Sequence, residues 1–137
     1  MTSYKLSCQF QSTLEEVDAQ VNALLESLDE KVVEYDRFSL DLILREALNN
    51  AVIHGNKNNP DLVIFLSIML IGKWFHIRIE DQGEGFDWTS GIQRTEVEAN
   101  AEHGRGFPII LHYGEQVQLN EKGNKISFKL ARFPRVK

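Results

Sequence analysis

Glu46, Asn50 and His54 recur at four-residue intervals in the stretch L-R-E-A-L-N-N-A-V-I-H-G-N, residues 44–56. A carboxylate, an amide and an imidazole at that spacing share one flank of a helix, where they can meet a ligand together. Asparagine is a middling-to-poor helix former, because its amide competes for backbone hydrogen bonds. Asn49 and Asn50, adjacent inside an apolar repeat, therefore mark either a solvated face or a site. At about 100° per residue, Leu40, Ile43, Leu44, Ala47 and Ala51 form a compact apolar stripe. Glu46, Asn50 and His54 run along its flank, and Asn49 points away into solvent. On this helix alone, a polar flank and a functional row fit equally well.

Two glycine-bearing stretches hold the other candidates. In K-W-F-H-I-R-I-E-D, residues 73–81, Phe75, Ile77 and Ile79 share one strand phase, and Trp74, His76, Arg78 and Glu80 the other. Asp81 continues the apolar phase, and a carboxylate facing a core must find a donor or stay wet. Gly83 and Gly85 follow it in D-Q-G-E-G-F, a run that by itself also reads as a turn. At residues 103–107, H-G-R-G-F places Gly104 and Gly106 around Arg105, ahead of a short helix. Glycines there permit close backbone approach, and the helix end offers free N–H groups to an anion.

These residues need elements to hold them. The chain has 137 residues, 42% of them hydrophobic, with eight phenylalanines: one domain, long enough to bury a core. Charged residues make up 26%, which argues against disorder. The net charge of −5 argues against nonspecific binding to nucleic acid or an anionic membrane. Cys8 is the single cysteine, so no internal disulfide forms. The first residues lack a basic, then apolar leader, and the longest apolar run, residues 62–72, is too short to span a bilayer. A cytoplasmic protein is the expectation.

Residues 2–11 loosely alternate and read as an edge strand. Ser12 with Glu15, or Thr13 with Glu16, offers a capping box before a helix carrying Leu14, Val17, Val21, Leu24, Leu25 and Leu28. The second helix starts near Ser39 and ends at Gly55 and the N-K-N-N-P segment. Strands over 62–71 and 73–80 flank a tight turn at Gly72. A short helix covers 107–113, with Pro108 tolerated in its first turn. The strands E-Q-V-Q-L and K-I-S-F-K-L-A-R-F flank the turn N-E-K-G-N. The implied class is α+β, a two-layer sandwich: a mixed, mostly antiparallel sheet with helices on one face.

In this order and spacing, the three stretches resemble the GHKL (histidine kinase-like) ATPase superfamily. Its N box falls on residues 46–56, beginning E-A-L-N-N-A-V-I-H-G. Its G1 box falls on 81–86, D-Q-G-E-G-F, and its G2 box on 104–107, G-R-G-F, with a short lid over 87–103. The chain looks most like the small anti-sigma factor and serine-protein kinase branch. The resemblance implies a single Bergerat-type ATP-binding domain over residues 1–137, with ATP and Mg²⁺ as cofactors. It puts Mg²⁺ on Asn50, catalysis on Glu46 and the adenine amino group on Asp81, with Gly83, Gly85 and Phe86 close to the nucleotide. Gly104, Arg105 and Gly106 would wrap the phosphates, and His54 would either line the pocket or serve as a hydrogen-bonded core histidine. Two positions depart from the family: Phe107 stands for leucine, and Asn124 stands in G-N-K-I where threonine is frequent.

The function that the resemblance implies is that of an anti-sigma regulatory factor with serine/threonine-protein kinase activity. Such a protein transfers phosphate from ATP to a small anti-anti-sigma-type partner and otherwise sequesters a sigma factor. A partner-switching module without phosphoryl transfer is the alternative. A detached histidine-kinase-like catalytic domain is another; it would act in trans, since the first histidine of the chain is His54, inside the N box. A homodimer through a sheet edge is permitted. Neither nucleic acid nor membrane is expected as a partner.

Overall fold

The computed structural model describes residues 2–85 and 106–133. The elements run β1 (Thr2–Gln11), α1 (Leu14–Lys31), α2 (Arg37–Asn50), β2 (Val63–Ile71), β3 (Trp74–Glu80), α3 (Gly106–Tyr113), β4 (Gly114–Leu119) and β5 (Lys125–Ala131). Alternation in residues 62–80 becomes the β2–β3 hairpin at the centre of one five-stranded sheet. Gly72 makes its turn with φ +60°, a conformation open to glycine at no steric cost. The strand order is β1-β2-β3-β5-β4, with β1 at an edge and all four pairings antiparallel.

The register turns period-two alternation into layers. Leu66, Ile79 and Ile126 lie side by side across β2, β3 and β5; so do Ile68, Ile77 and Phe128, and then Leu70, Phe75 and Leu130. Each is at most 3% exposed, and each buried side chain of this size contributes about 1.5–3 kcal/mol. Helices cover this face, giving the α+β class. Val17, Val21, Leu24, Leu25 and Leu28 of α1 join the same core, as do Leu40, Ile43, Leu44, Ala47 and Leu48 of α2. No described helix is long and apolar enough to cross a membrane.

The caps explain where the helices begin. Of the two capping options before α1, the structure uses Thr13, whose hydroxyl accepts from the Glu16 N–H at 3.1 Å. Helix α2 starts at Arg37 rather than near Ser39, because Asp36 is its N-cap and accepts from the Ser39 N–H at 3.1 Å. Ser39 is thus the third helical residue. Arg45 then ties the two helices, pairing with Asp18 of α1 and with Asp41 one turn back on α2.

Helix α2 packs against α1 on one side and α3 on the other. That placement widens its covered face beyond the stripe read from the sequence. Leu48 is fully buried, and Asn49, expected in solvent, is half-buried. Because Asp36 satisfies an end N–H of this helix, Asp36→Ala should lower stability by about 1 kcal/mol. Urea denaturation would read this as a lower midpoint at unchanged slope; an unshifted midpoint would mean the cap contributes nothing.

Candidate functional site

Helix α2 does not stop at Asn50. The next five residues, Ala51–Gly55, wind as a single π turn, closed by the Asn56 N–H on the Ala51 carbonyl at 2.8 Å. Such wide turns are rare and gather at functional places in helices. This one carries the end of α2 onto the end of β3. The Gly55 backbone lies so close to Asp81 that a Cβ there would overlap its carboxylate. A Cβ on Gly83 would likewise overlap the Gly55 carbonyl. Both positions must therefore be glycine for the helix end and the post-strand loop to touch.

Asp81 is 1% exposed, on the core side of the sheet. Its Oδ1 accepts from the Gly83 N–H at 2.8 Å. Its Oδ2 is buried and has no hydrogen-bond partner among the described residues. Burial is the main cause that pushes this carboxyl up to about 6; nearby Glu80 adds to the shift, while the Gly83 N–H and the Lys122 ammonium oppose it. A buried acceptor left without a donor costs about 1–3 kcal/mol or more, so the site holds an unmet demand for one N–H or O–H.

Asparagines hold the loop in place from both sides. Asn56, 2% exposed, accepts from the Gln82 N–H at 2.8 Å and donates to the Val63 carbonyl at 3.1 Å. From the β4–β5 turn, Asn124 donates its side-chain amide to the Asp81 carbonyl at 3.2 Å, and its own carbonyl accepts from the Asp81 N–H at 2.9 Å. Asn120 orders that turn, its Oδ1 accepting from the N–H groups of Gly123, Asn124 and Lys125 at 2.8, 3.1 and 3.2 Å.

The other candidates sit as follows. Asn50 is 6% exposed, and its amide makes no hydrogen bond among the described residues. Glu46 and His54 are half-buried on the same row, each with an interaction partner. Gly85 has φ +98° and lies against the Lys122 carbonyl. Gly106 opens α3. Phe86, the stretch 87–103, Gly104 and Arg105 fall outside the described residues. Gly55, Asn56 and Asn120 had no assigned role from sequence, because each reads there as punctuation at a helix end or turn.

The site joins a helix carrying Asn50 to a strand end carrying a buried carboxylate oxygen without a hydrogen-bond partner among the described residues. Residues 10–130 match the family described as the histidine kinase-like ATPase domain. The chain belongs to that family. Its similarity to an anti-sigma F factor of Anoxybacillus flavithermus (strain DSM 21510 / WK1) is 27% identity over 110 residues, 78% of this chain and 69% of that one. The anti-sigma F factor of Geobacillus thermodenitrificans (strain NG80-2) is 26% identical over 108 residues, 77% and 73% of the two chains. That of Bacillus cytotoxicus (strain DSM 22905 / CIP 110041 / 391-98 / NVH 391-98) is 28% identical over 107 residues, 74% and 65%. These matches support the anti-sigma branch of the histidine kinase-like ATPases, and the antiparallel sheet under helices is the fold that branch implies.

In this histidine kinase-like ATPase domain, the Asp81 carboxyl sets a pH dependence. Its proton is held up to about pH 6 in the folded chain, against roughly 3.9 unfolded. Between those values the native state binds more protons, so stability falls as pH rises through the window and levels off above it. The full effect is on the order of 3 kcal/mol. Asp81→Asn removes the titration, so the variant should melt above the parent at pH 8 and converge with it by pH 4. A melting difference independent of pH would show that the carboxyl is not strained by burial.

Proposed function

We propose that this chain is a cytoplasmic, Mg²⁺-dependent ATP-binding anti-sigma regulator with serine/threonine-protein kinase activity on a small partner protein. The observation that carries the reading is the buried Oδ2 of Asp81, without a hydrogen-bond partner among the described residues, under a helix end that has no side chain at Gly55. Adenine offers an amino N–H to such an acceptor. Guanine presents a carbonyl oxygen at the same place, and two acceptors facing each other are unfavourable.

The remaining roles follow from position. Asn50 supplies a hard amide oxygen, suited to Mg²⁺ that keeps most of its coordination for phosphate oxygens and water. A cation held there offsets charge on the phosphates. Glu46, one turn earlier on α2, accepts the proton of a substrate hydroxyl or orients a water. Gly83, Gly85 and Phe86 run beneath the base, and His54 lines the pocket. Gly104, Arg105 and Gly106 meet the phosphates, where the free N–H groups at the start of α3 favour negative charge. The domain spans 1–137, with the N box at 46–56, G1 at 81–86, the lid at 87–103 and G2 at 104–107.

The partners of this reading come from the relatives named anti-sigma F factor. They are a sigma factor and a small anti-anti-sigma-type protein whose serine or threonine receives the phosphate, with the chain acting as a homodimer. Glu46 separates this from a partner switch that only binds nucleotide.

Calorimetric titration with ATP, ADP and GTP, with and without Mg²⁺, should show adenine-selective binding that tightens with the metal. Asn50→Ala should remove the magnesium dependence. Glu46→Gln should keep ATP affinity while slowing phosphate release from ATP by about 100-fold or more. No binding at millimolar ATP would refute the reading; ATP binding without turnover in the parent would reduce it to the partner switch, and unchanged turnover in Glu46→Gln would remove Glu46 from catalysis.

A further inference from the structure

Strand β3 pairs with β5 up to Glu80 and Lys125, where the ladder should end. It is extended by one pair in an unusual way. In an antiparallel ladder, two residues that face each other as a hydrogen-bonded pair exchange both N–H···O bonds. Asp81 gives its N–H to the Asn124 carbonyl at 2.9 Å, as such a pair requires. The return bond cannot come from the Asn124 backbone, whose N–H is taken by Asn120 Oδ1 at 3.1 Å in the turn. The Asn124 side chain supplies it instead, donating Nδ2–H to the Asp81 carbonyl at 3.2 Å, while its Oδ1 is held by Asn120 Nδ2 at 2.6 Å.

The next peptide group is thereby gripped at both ends. Its carbonyl, that of Asp81, is held by Asn124; its N–H, that of Gln82, is held by Asn56 Oδ1 at 2.8 Å. Asn56 comes from the end of the α2 π turn and Asn124 from the β4–β5 turn, on separate elements. Fixing that peptide plane fixes ψ of Asp81, and with it the loop that brings the Gly83 N–H onto Oδ1 at 2.8 Å. One carboxylate oxygen is then occupied and the other left over, in a set direction.

We propose that Asn56 and Asn124 are positioning residues for base recognition: their side chains clamp the Asp81–Gln82 peptide so that Asp81 presents a single acceptor oxygen to the purine. The inference rests on the ATP-binding reading above. Asn124 thus acts through Asp81. Where the family often has threonine, this chain carries a side chain whose amide can both donate to a carbonyl and accept from Asn120. A clamp of this kind narrows geometry, so its loss appears in the ratio of affinities as well as in affinity itself.

The test measures ATP and GTP dissociation constants and melting midpoints for the parent, Asn124→Asp, Asn124→Ala and Asn56→Ala. Asn124→Asp is isosteric but cannot donate to the Asp81 carbonyl. Asp36→Ala is the control that weakens α2 far from the loop. Each clamp variant should weaken ATP by about tenfold, the worth of one well-placed hydrogen bond, and bring the ATP-to-GTP ratio toward one. Asp36→Ala should lower the melting midpoint and leave the ratio alone. A parent that binds neither nucleotide overturns the ATP reading itself. A parent selective for adenine, with clamp variants that keep its ratio, overturns the positioning role and leaves that reading standing. Should Asn124→Asp fail to fold, Asn124→Ala and Asn56→Ala carry the same comparison.

Discussion

A carboxylate on the core side of a strand end is the constraint around which the rest of this structure is arranged. Asp81 occupies the next apolar position after Ile79, where the alternation of β3 would put a hydrophobic side chain. Burial there disfavours the charge, and one neighbouring N–H satisfies one oxygen. Everything nearby serves to keep the group in place despite that penalty. The π turn brings Gly55 over it, glycine at 83 lets the two backbones touch, and asparagines pin the loop from both sides. Strain held locally in this manner persists only where the surroundings over-determine it. Here they do.

The platform beneath must therefore be stiff. Three apolar rows cross β2, β3 and β5, and α1 and α2 close over them. Close-packed interiors deform little, so strand ends and helix ends on such a base stay where they are set. Arg45 and the two N-caps act on the same requirement, fixing where α1 and α2 begin and how one lies on the other. The opposite sheet face carries no such demand, and its residues, Ser67, Arg78 and Lys129 among them, stay partly wet.

What could be read from the sequence was what repeats. Period-two alternation gave β2, β3 and β5 and the inward phase of Asp81; the helical period gave the buried faces of α1 and α2 and the inward lean of Asn50. One boundary and one exposure slipped. The start of α2 moved because a cap is a single side chain with no period, and Asn49, on a helix packed against two others, is half-buried. Nothing periodic announces a π turn either. The roles of Asn56, Asn120 and Asn124 stayed hidden for the same cause: each bonds backbone groups, in the last case across 43 residues. In a string of letters an asparagine past a helix end, or inside a turn, says only that the chain bends.

The stretches 46–56 and 81–86 look like separate strings, yet geometry makes them one object. Gly55, at the end of the π turn, and Asp81 and Gly83, after β3, share a contact so close that neither glycine can change alone. Asn124 is under no such steric compulsion: the bond its side chain makes is to the Asp81 backbone carbonyl.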